Sequence, residues 1–242
     1  MRSSAPTLAA LLAVSLPLAA EAPRAAPGAW YRYPLPGAEV KSLVADPALP
    51  AVFWAGTAQG GIYRSSDGGV SWTSPPGGAP FPGYAVTSLA TDPARPGTVW
   101  AGLTGVVKGG LLVRSTDLGR SFEVVRRWED RAGARVVAVT SPYGRKAVGV
   151  GGDWGVEISE DDGATWRVSS PPLDPGSGVS FLAFDPVRPE VLYCGSFRHP
   201  FRSVDGGRTW ARIANGMVED TEVFAIEFSP DDPGDLWAAT CG

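Results

Sequence analysis

An eight-residue segment, here called the octet, occurs four times in this chain. Its copies read SSDGGVSW, STDLGRSF, SEDDGATW and SVDGGRTW, at 65–72, 115–122, 159–166 and 203–210. A hydroxyl residue, an aspartate, a glycine and a final aromatic residue keep their positions in every copy. The octet aspartates follow one another at intervals of 50, 44 and 44 residues; they are Asp67, Asp117, Asp161 and Asp205. A period of this length predicts a repeat architecture in which each unit is one supersecondary element.

A second shared block accompanies the octets. It reads VKSLVADPALPAVFWAGT from Val40, VTSLATDPARPGTVWAGL from Val86, VFAIEFSPDDPGDLWAAT from Val223 and VSFLAFDPVRPEVLYCGS from Val179. The third unit, from Val136, keeps the apolar pattern but loses the Asp-Pro pair. Each block consists of two apolar runs separated by a segment that contains proline. Proline favours a turn there because it fixes φ and lacks an N–H group.

The second unit shows how a repeat divides into strands. It predicts strands at 86–90, 99–103, 110–115 and 122–126, and no stretch after the N-terminus shows sustained helical periodicity. A period of about 44 residues is typical of a four-stranded propeller blade. We therefore predict an all-β fold: a β-propeller of four-stranded antiparallel blades, with four complete blades and a partial fifth.

The octet itself is predicted to be a structural fastener. It falls in the turn between the third and fourth strands, where an aspartate can accept the unpaired backbone N–H groups and a glycine permits positive φ. The aromatic residue can anchor the turn on the blade, and we expect it to be largely buried. The structural residues are Asp67, Gly69, Trp72, Asp117, Gly119, Phe122, Asp161, Gly163, Trp166, Asp205, Gly207 and Trp210.

The octets resemble Asp-box repeats, also called bacterial neuraminidase (BNR) repeats. The unit SLATDPARPGTVWAGL…GLLVRSTDLGRSF is similar to those of secreted BNR-like propellers, which are related to sialidases, xyloglucanases, sortilin-type receptors and photosystem II assembly factors. The resemblance covers residues 30–242 and implies the propeller fold. It does not imply one function, because the shared motif is the fastener.

The resemblance leaves a glycoside hydrolase as the alternative to a binding module. Sialidases use three arginines, and Arg64, Arg114 and Arg202 occupy one slot in three repeats, directly before the octet serine. We interpret these arginines as solvated strand residues. Xyloglucanases use two carboxylates across a cleft; Asp130 and Asp153 are candidates, but no local pattern singles them out.

Neither a cofactor nor a metal is expected. His199 is the only histidine, and no second Cys/His pair joins it and Cys194 to complete a zinc set. No glycine-rich phosphate loop follows a strand into a helix, so a nucleotide is not indicated. We expect no disulfide between Cys194 and Cys241, because the repeat alignment separates their Cα atoms by more than about 7 Å.

The N-terminal segment and the charge distribution indicate the compartment and exclude some partners. Arg2 precedes an uncharged run to Ala20, which predicts a signal peptide at 1–22, a leader at 23–29 and the propeller at 30–242. We expect a secreted or periplasmic protein without membrane insertion after cleavage. The net charge of −4 and the scattered basic residues disfavour nucleic acid as a partner.

The two faces of the predicted array differ in sequence. The Asp-Pro turns and the octets share one face, whereas the loops between the second and third strands and the inter-blade segments share the other. A uniform face opposite a variable one predicts that the variable face binds a protein or glycan ligand. Its candidate residues are Phe81, Tyr84, Lys108, Trp128, Glu129, Asp130, Arg131, Asp153, Trp154, Phe197, Arg198 and His199.

The ends of the chain suggest a truncated propeller. The segment WYRYPL at 30–35 follows the pattern found after an octet, and the fifth unit stops at LWAATCG after two strands. Related families mostly have six or more blades. We expect an open array, and exposed edge strands favour self-association.

Overall fold

The described part of the chain consists of five antiparallel sheets. The computed structural model describes residues 35, 39–76, 81–107, 109–217, 222–229, 231–232 and 234–241. The predicted signal peptide, the leader, the segment 30–34 and Lys108 lie outside the described residues.

We number the sheets as blades 1 to 5 in chain order. Within each blade, strands that are consecutive in the sequence are hydrogen-bonded neighbours in the sheet. Blade 1 contains β1 Val40–Asp46, β2 Leu49–Thr57 and β3 Ile62–Ser65. Blade 2 contains β4 Tyr84–Thr91, β5 Val99–Gly105, β6 Gly110–Ser115 and β7 Glu123–Trp128. Blade 3 contains β8 Val136–Thr140, β9 Ala147–Gly152, β10 Gly155–Ser159 and β11 Arg167–Ser169. Blade 4 contains β12 Val179–Phe184, β13 Leu192–Ser196, β14 Pro200–Ser203 and β15 Ala211–Arg212. Blade 5 contains β16 Glu222–Phe228 and β17 Leu236–Cys241.

The all-β prediction is confirmed, with local departures. In blade 1 the fourth strand is reduced to a single bridge between Arg64 and Thr73. Blade 3, which lacks the Asp-Pro pair, has a short 3-10 turn at Pro142–Gly144 between its first two strands. No helix in the described ranges is long and apolar enough to cross a membrane.

The octets share one hydrogen-bond pattern, which the copy at 115–122 illustrates. The Ser115 hydroxyl accepts the N–H of Gly119 at 2.9 Å and donates to the Asp117 carboxylate at 2.8 Å. Asp117 in turn accepts the backbone N–H and the hydroxyl of Ser121, at 3.0 and 2.6 Å. The other three copies repeat these bonds. The turn is therefore closed by its own side chains.

The closing aromatic residues of the octets are half-buried, not largely buried as the sequence led us to expect. They are Trp72, Phe122, Trp166 and Trp210. Each lies directly before the outermost strand of its blade, or in blade 1 before the bridging residue Thr73, and this edge has a neighbouring strand on one side only. The octet glycines do adopt positive φ; they are Gly69 at 92°, Gly119 at 79°, Gly163 at 90° and Gly207 at 80°.

The core lies between the blades, and in blades 1 and 2 an aromatic–arginine pair holds the octet of the next blade. In blade 1, Trp54 pairs across the sheet with Arg64. The Trp54 ring lies directly over Gly119 of blade 2, where a Cβ atom would come within 2.6 Å of it. Arg64 donates from Nη1 to the carbonyl of Leu118 at 3.1 Å.

The same pair recurs in blades 2 and 4. Trp100 pairs across the sheet with Arg114. The guanidinium carbon of Arg114 lies 4.9 Å from the centre of the Trp100 ring, and its Nη1 donates to the Asp162 carbonyl at 3.1 Å. Tyr193 pairs with Arg202, which lies 5.7 Å from the centre of its ring. The interpretation of the three arginines as solvated residues is therefore wrong: Arg114 and Arg202 pack on aromatic rings, and Arg64 and Arg114 bind the next octet.

Blade 3 fills the same space with different residues. Gly149 and Ile158 pair at the positions of the aromatic residue and the arginine. The side chains of Leu182 and Phe184, from the first strand of blade 4, occupy the space over Gly149. Arg167 replaces the missing arginine, donating from Nη2 to the carbonyl of Gly206 at 2.7 Å.

Contacts between blades place the octets and the proline-containing turns on one rim. The Asp46 carboxylate accepts the N–H of Gly97 at 2.7 Å, which joins the turns of blades 1 and 2. Arg95, in the turn of blade 2, forms a bidentate pair with Asp162 in the octet of blade 3, at 2.7 and 2.8 Å. We call this side the octet rim and the opposite side the variable rim.

Acid should weaken the octets. Hydrogen bonds from the hydroxyl and the N–H of Ser71 lower the pKa of Asp67 from 3.8 to about 2, and Ser121 lowers the pKa of Asp117 to about 2 in the same way. Because the folded value lies below the unfolded one, the stabilisation is present above about pH 4 and is lost as the pH falls towards 2. The Asp67→Asn/Asp117→Asn variant should show a shallower loss of unfolding free energy over this interval in urea titrations.

The control for this prediction is Asp231→Asn, which alters an exposed loop carboxylate. It should keep the slope of the parent protein. An equal slope for the double octet variant and the parent would show that the octets do not carry the acid sensitivity.

The octet glycines should differ in their tolerance of a side chain. Gly119→Ala combines positive φ with a clash against Trp54, and should cost about 2–4 kcal/mol. Gly69→Ala has the same backbone strain, but the nearest atom to its added Cβ is in Trp72, at 3.8 Å, so the cost should be about 1–2 kcal/mol. Chemical denaturation of the two variants measures the difference, and equal losses would refute the packing role of Gly119.

Candidate functional site

A strip of aromatic and charged side chains crosses the variable rim from blade 3 to blade 4. We call it the rim strip, and its members are Arg131, Arg135, Asp153, Trp154 and Phe197. Arg131 and Arg135 belong to the segment that enters blade 3, Asp153 and Trp154 to the turn between β9 and β10, and Phe197 to the turn between β13 and β14.

The turn between β9 and β10 is a two-residue hairpin. Gly152 pairs with Gly155, so Asp153 and Trp154 are its two central residues. Gly155 has a φ of 105°, a backbone conformation that is strained for any residue with a side chain. The hairpin therefore presents two adjacent side chains, Asp153 and Trp154, from a short, well-defined backbone.

The indole ring of Trp154 is held on three sides. It stacks on Trp128 with 5.5 Å between ring centres and an interplanar angle of 28°. Its Nε1 donates to the carbonyl of Ala132 at 3.1 Å, and the guanidinium carbon of Arg131 lies 5.6 Å from its ring centre. The ring is thus oriented before any ligand arrives, which lowers the entropic cost of binding.

Beneath Trp154 a column of stacked groups runs towards the octet rim. Trp128 is 5% exposed, so it supports the rim strip and is not a surface residue. The guanidinium carbon of Arg126 lies 5.7 Å from the ring centre of Trp128 and 5.6 Å from that of Trp166. Arg126 also forms an ion pair with the buried Glu157, with Nε and Oε2 2.6 Å apart, although the angle is not that of a hydrogen bond.

Arg135 connects the two blades of the rim strip. Its Nη2 lies 2.9 Å from Oδ1 of Asp153, and its guanidinium carbon lies 5.6 Å from the ring centre of Phe197. Gly178 leaves room for both partners, since a Cβ atom there would lie 2.6 Å from Asp153 and 3.3 Å from Phe197. No local motif marks Arg135 or Gly178, so neither residue could be singled out from the sequence alone.

His199 lies beside the rim strip in the turn after Phe197. Its Nε2 is 3.5 Å from a carboxylate oxygen of Asp174, and its backbone N–H donates to the Ser196 hydroxyl at 3.0 Å. Arg198 is exposed. Within the described ranges no group of histidine, cysteine and carboxylate side chains could hold a metal ion. Cys194 is buried and Cys241 is exposed, both as free thiols.

The remaining predicted residues lie apart from the rim strip or at its margin. Phe81 packs edge-to-face on Phe122, with 6.1 Å between ring centres, and both join Tyr84 against the core cluster of blades 1 and 2. Glu129 and Asp130 are exposed, and Asp130 lies 3.5 Å from the Arg131 guanidinium. The structure therefore brings together part of the predicted binding face and assigns another part to packing.

A cavity of about 430 Å³ opens on the octet rim between blades 3 and 4. Arg145 and Lys146 line one side of it, and Asp205 and Arg208 line the other. Lys146 is bound to Asp162 at 2.5 Å, Asp205 is bound within its own octet, and Arg208 donates to the Asp205 carbonyl. Because Lys146, Asp205 and Arg208 are already held by these bonds, the rim strip is the stronger candidate site.

Solved structures similar to this chain identify the architecture. A GH74 xyloglucanase from Xanthomonas campestris matches with a TM-score of 0.65 at 22% identity, over 81% of this chain. A GH74 enzyme from Niastella koreensis matches with a TM-score of 0.67 at 20% identity, over 84% of this chain. The extracellular domain of a B. thetaiotaomicron protein described as a one-component system matches with a TM-score of 0.58 at 15% identity, over 83%. The fold is a β-propeller.

The comparisons support the propeller and no finer assignment. The chain spans 34%, 33% and 25% of the lengths of these three proteins. Its sequence matches no protein-family model, and no curated protein is similar to it. The identity of the octets as Asp-box repeats therefore stays a prediction, as does the role of the rim strip.

We expect the ion pair of Arg126 and Glu157, beneath the propeller's rim strip, to contribute to stability only when both residues are present. Arg126→Met leaves the buried Glu157 carboxylate without its partner and should cost about 3 kcal/mol, the low end of the range for buried pairs because Arg126 is partly exposed. The Arg126→Met/Glu157→Val variant should recover most of this loss, since blade 2 has Val113 at the position of Glu157. Denaturant midpoints test this, and a double variant no more stable than Arg126→Met would contradict it.

Proposed function

We propose that this propeller is a secreted or periplasmic binding module that holds a polysaccharide across the rim strip without cleaving it. The observation that supports this proposal is the preorganised row of Trp154, Arg135 and Phe197, which extends over two adjacent blades. Phe197 is exposed and Trp154 is half-buried. Their uncovered ring surface is apolar and suits the C–H groups of a sugar, and the neighbouring charged groups can bind its hydroxyls. The arrangement suits a chain that extends from one blade to the next.

The comparisons support a glycan as the first ligand class to test. Two of the similar structures are GH74 enzymes, one of them described as a xyloglucanase, and a third is an extracellular domain. These likenesses concern the fold, so they suggest the probe and do not identify the ligand. A protein ligand is the other outcome, because tryptophan and arginine are also typical of protein-interface hot spots.

The hydrolase alternative rests on Asp130 and Asp153, the two carboxylates at the rim strip. Both are exposed and each lies beside an arginine, Asp153 with Arg135 at 2.9 Å and Asp130 with Arg131 at 3.5 Å. A glycosidase needs one protonated carboxyl group to act as an acid and a second carboxylate as a base or nucleophile. Two ion-paired, exposed carboxylates fit the electrostatics of a binding surface better.

Binding is tested by isothermal titration with xyloglucan oligosaccharides. Trp154→Ala and Phe197→Ala should each weaken binding about tenfold or more, because each removes a central apolar contact. Two controls change the octet rim: Val204→Ala alters an exposed apolar residue, and Arg145→Ala alters the cavity. Both controls should bind like the parent. Because Trp154→Ala also removes packing on Trp128, every titration is run well below the melting temperature of the variant, with circular dichroism showing that it is folded.

The outcomes separate the alternatives. Loss of binding in Arg145→Ala but not in Trp154→Ala would move the site to the cavity. Release of reducing ends from xyloglucan, abolished by Asp153→Asn, would establish the hydrolase instead. Absence of binding to xyloglucan and to other plant and bacterial polysaccharides would overturn the glycan proposal.

A further inference from the structure

Blade 3 lacks the aromatic side chain that the repeat places at the interface with the next blade. Trp54, Trp100 and Tyr193 occupy one position in the second strands of blades 1, 2 and 4, and all three are buried. Gly149 takes that position in blade 3. The interface between blades 3 and 4 is therefore built without the ring that the other three blades have.

The cavity of about 430 Å³ on the octet rim, here called the octet-rim cavity, lies at this interface. Ala147 and Phe184 both line it. Ala147 is on the same face of β9 as Gly149, because successive side chains of a strand point to opposite faces. The Phe184 ring would lie 3.3 Å from a Cβ atom on Gly149. The cavity thus adjoins the space that an aromatic side chain at position 149 would enter.

One wall of the octet-rim cavity is suited to contact an aromatic ring. Phe184 in blade 4 corresponds to Phe228 in blade 5, since each is the last residue of the first strand. Phe228 packs edge-to-face on Tyr193 of the preceding blade, with 5.7 Å between ring centres. Phe184 meets Gly149 in place of such a ring. With Ile158, which also lines the cavity, it offers an apolar surface on which the ring of a ligand can be buried.

The lining also carries accessible charges of both signs. Arg145 and Arg208 are exposed, and Glu190 is half-buried. Arg208 donates from Nη1 to the Asp205 carbonyl at 2.9 Å, which orients the guanidinium and leaves its other N–H groups for a ligand. Charge-assisted hydrogen bonds would join an arginine to a ligand carboxylate and Glu190 to a ligand ammonium group. A zwitterionic head group fits this lining better than a head group of one charge.

We propose that the octet-rim cavity binds a free aromatic amino acid. The ring lies against Phe184 and Ile158, and the carboxylate and ammonium groups lie among the arginines and the glutamate. The volume is within the range of about 300–1,000 Å³ that is typical of small-molecule pockets. L-Tryptophan is the probe, because blades 1 and 2 have an indole ring at the position of Gly149. The cavity is on the rim opposite the rim strip, so this inference does not depend on the proposed function.

A ligand series tests the ring and the head group separately by isothermal titration calorimetry. L-Tryptophan should bind saturably, with one molecule per chain. L-Leucine has the same head group without an aromatic ring, and N-acetyl-L-tryptophanamide has the ring without either charge. Each should bind about tenfold or more weakly than L-tryptophan, because each loses one of the two kinds of contact.

Variants test the location of the site. Ala147→Phe places a ring in the cavity and should lower the affinity for L-tryptophan more than about tenfold. Arg208→Gln and Glu190→Gln each remove one charge of the lining and should each weaken binding about tenfold. Arg120→Gln is the matched control, because Arg120 is exposed and has the position of Arg208 in the octet of blade 2. It should bind like the parent, and circular dichroism should show that every variant is folded.

Three results would overturn the proposal. The first is no saturable binding of L-tryptophan, L-tyrosine or L-phenylalanine by the parent. The second is equal affinity for L-tryptophan and N-acetyl-L-tryptophanamide, which would show that the head group is not recognised and would favour an aromatic side chain of a protein as the occupant. The third is binding that Ala147→Phe, Arg208→Gln and Glu190→Gln leave unchanged, or that Arg120→Gln weakens equally, since either would place the ligand elsewhere.

Discussion

The contact of each of blades 1 to 3 with the octet of the next blade holds the array together. A tryptophan ring covers an octet glycine, and the arginine beside it binds a carbonyl of the same turn. The glycine is required twice, for its positive φ and for the space that the ring takes. Because each blade contacts only its neighbours, stability is a sum of such interfaces. Blade 3 shows that the requirement is a filled space and a bonded turn, since Ile158, which lies over Gly207, and Arg167 meet it without the pair.

This fastening also separates the two rims by chemistry. On the octet rim, aspartates, hydroxyls and arginines are bound to the turns and to one another, as the bond between Arg95 and Asp162 illustrates. On the variable rim, the hairpin tip and the inter-blade segments carry side chains that the fastening does not use. The column from Trp154 through Trp128 and Arg126 joins the two sides, so the rim strip is supported by the same interface that holds blades 2 and 3 together.

Blade 3 is where the repeat departs furthest from its pattern. It lacks the Asp-Pro turn, carries glycine in place of the aromatic residue and buries Glu157 where blade 2 has a valine. It also carries the hairpin tip of the rim strip and one wall of the octet-rim cavity. Departures from local consistency concentrate at functional sites in many proteins, and in this propeller they coincide with the hairpin of the rim strip.

The sequence by itself determined the repeat, the strands and the closure of the octets, because these depend on local periodicity, proline and the reach of an aspartate to its own turn. It also placed Trp154 and Asp153 on the variable face. The tertiary structure decided what the repeated arginines do, because the carbonyls bound by Arg64 and Arg114 belong to the following blade. It likewise placed Trp128 inside and brought Arg135 to Phe197. Those contacts join segments about fifty residues apart, where packing between sheets and not the order of residues sets which groups meet.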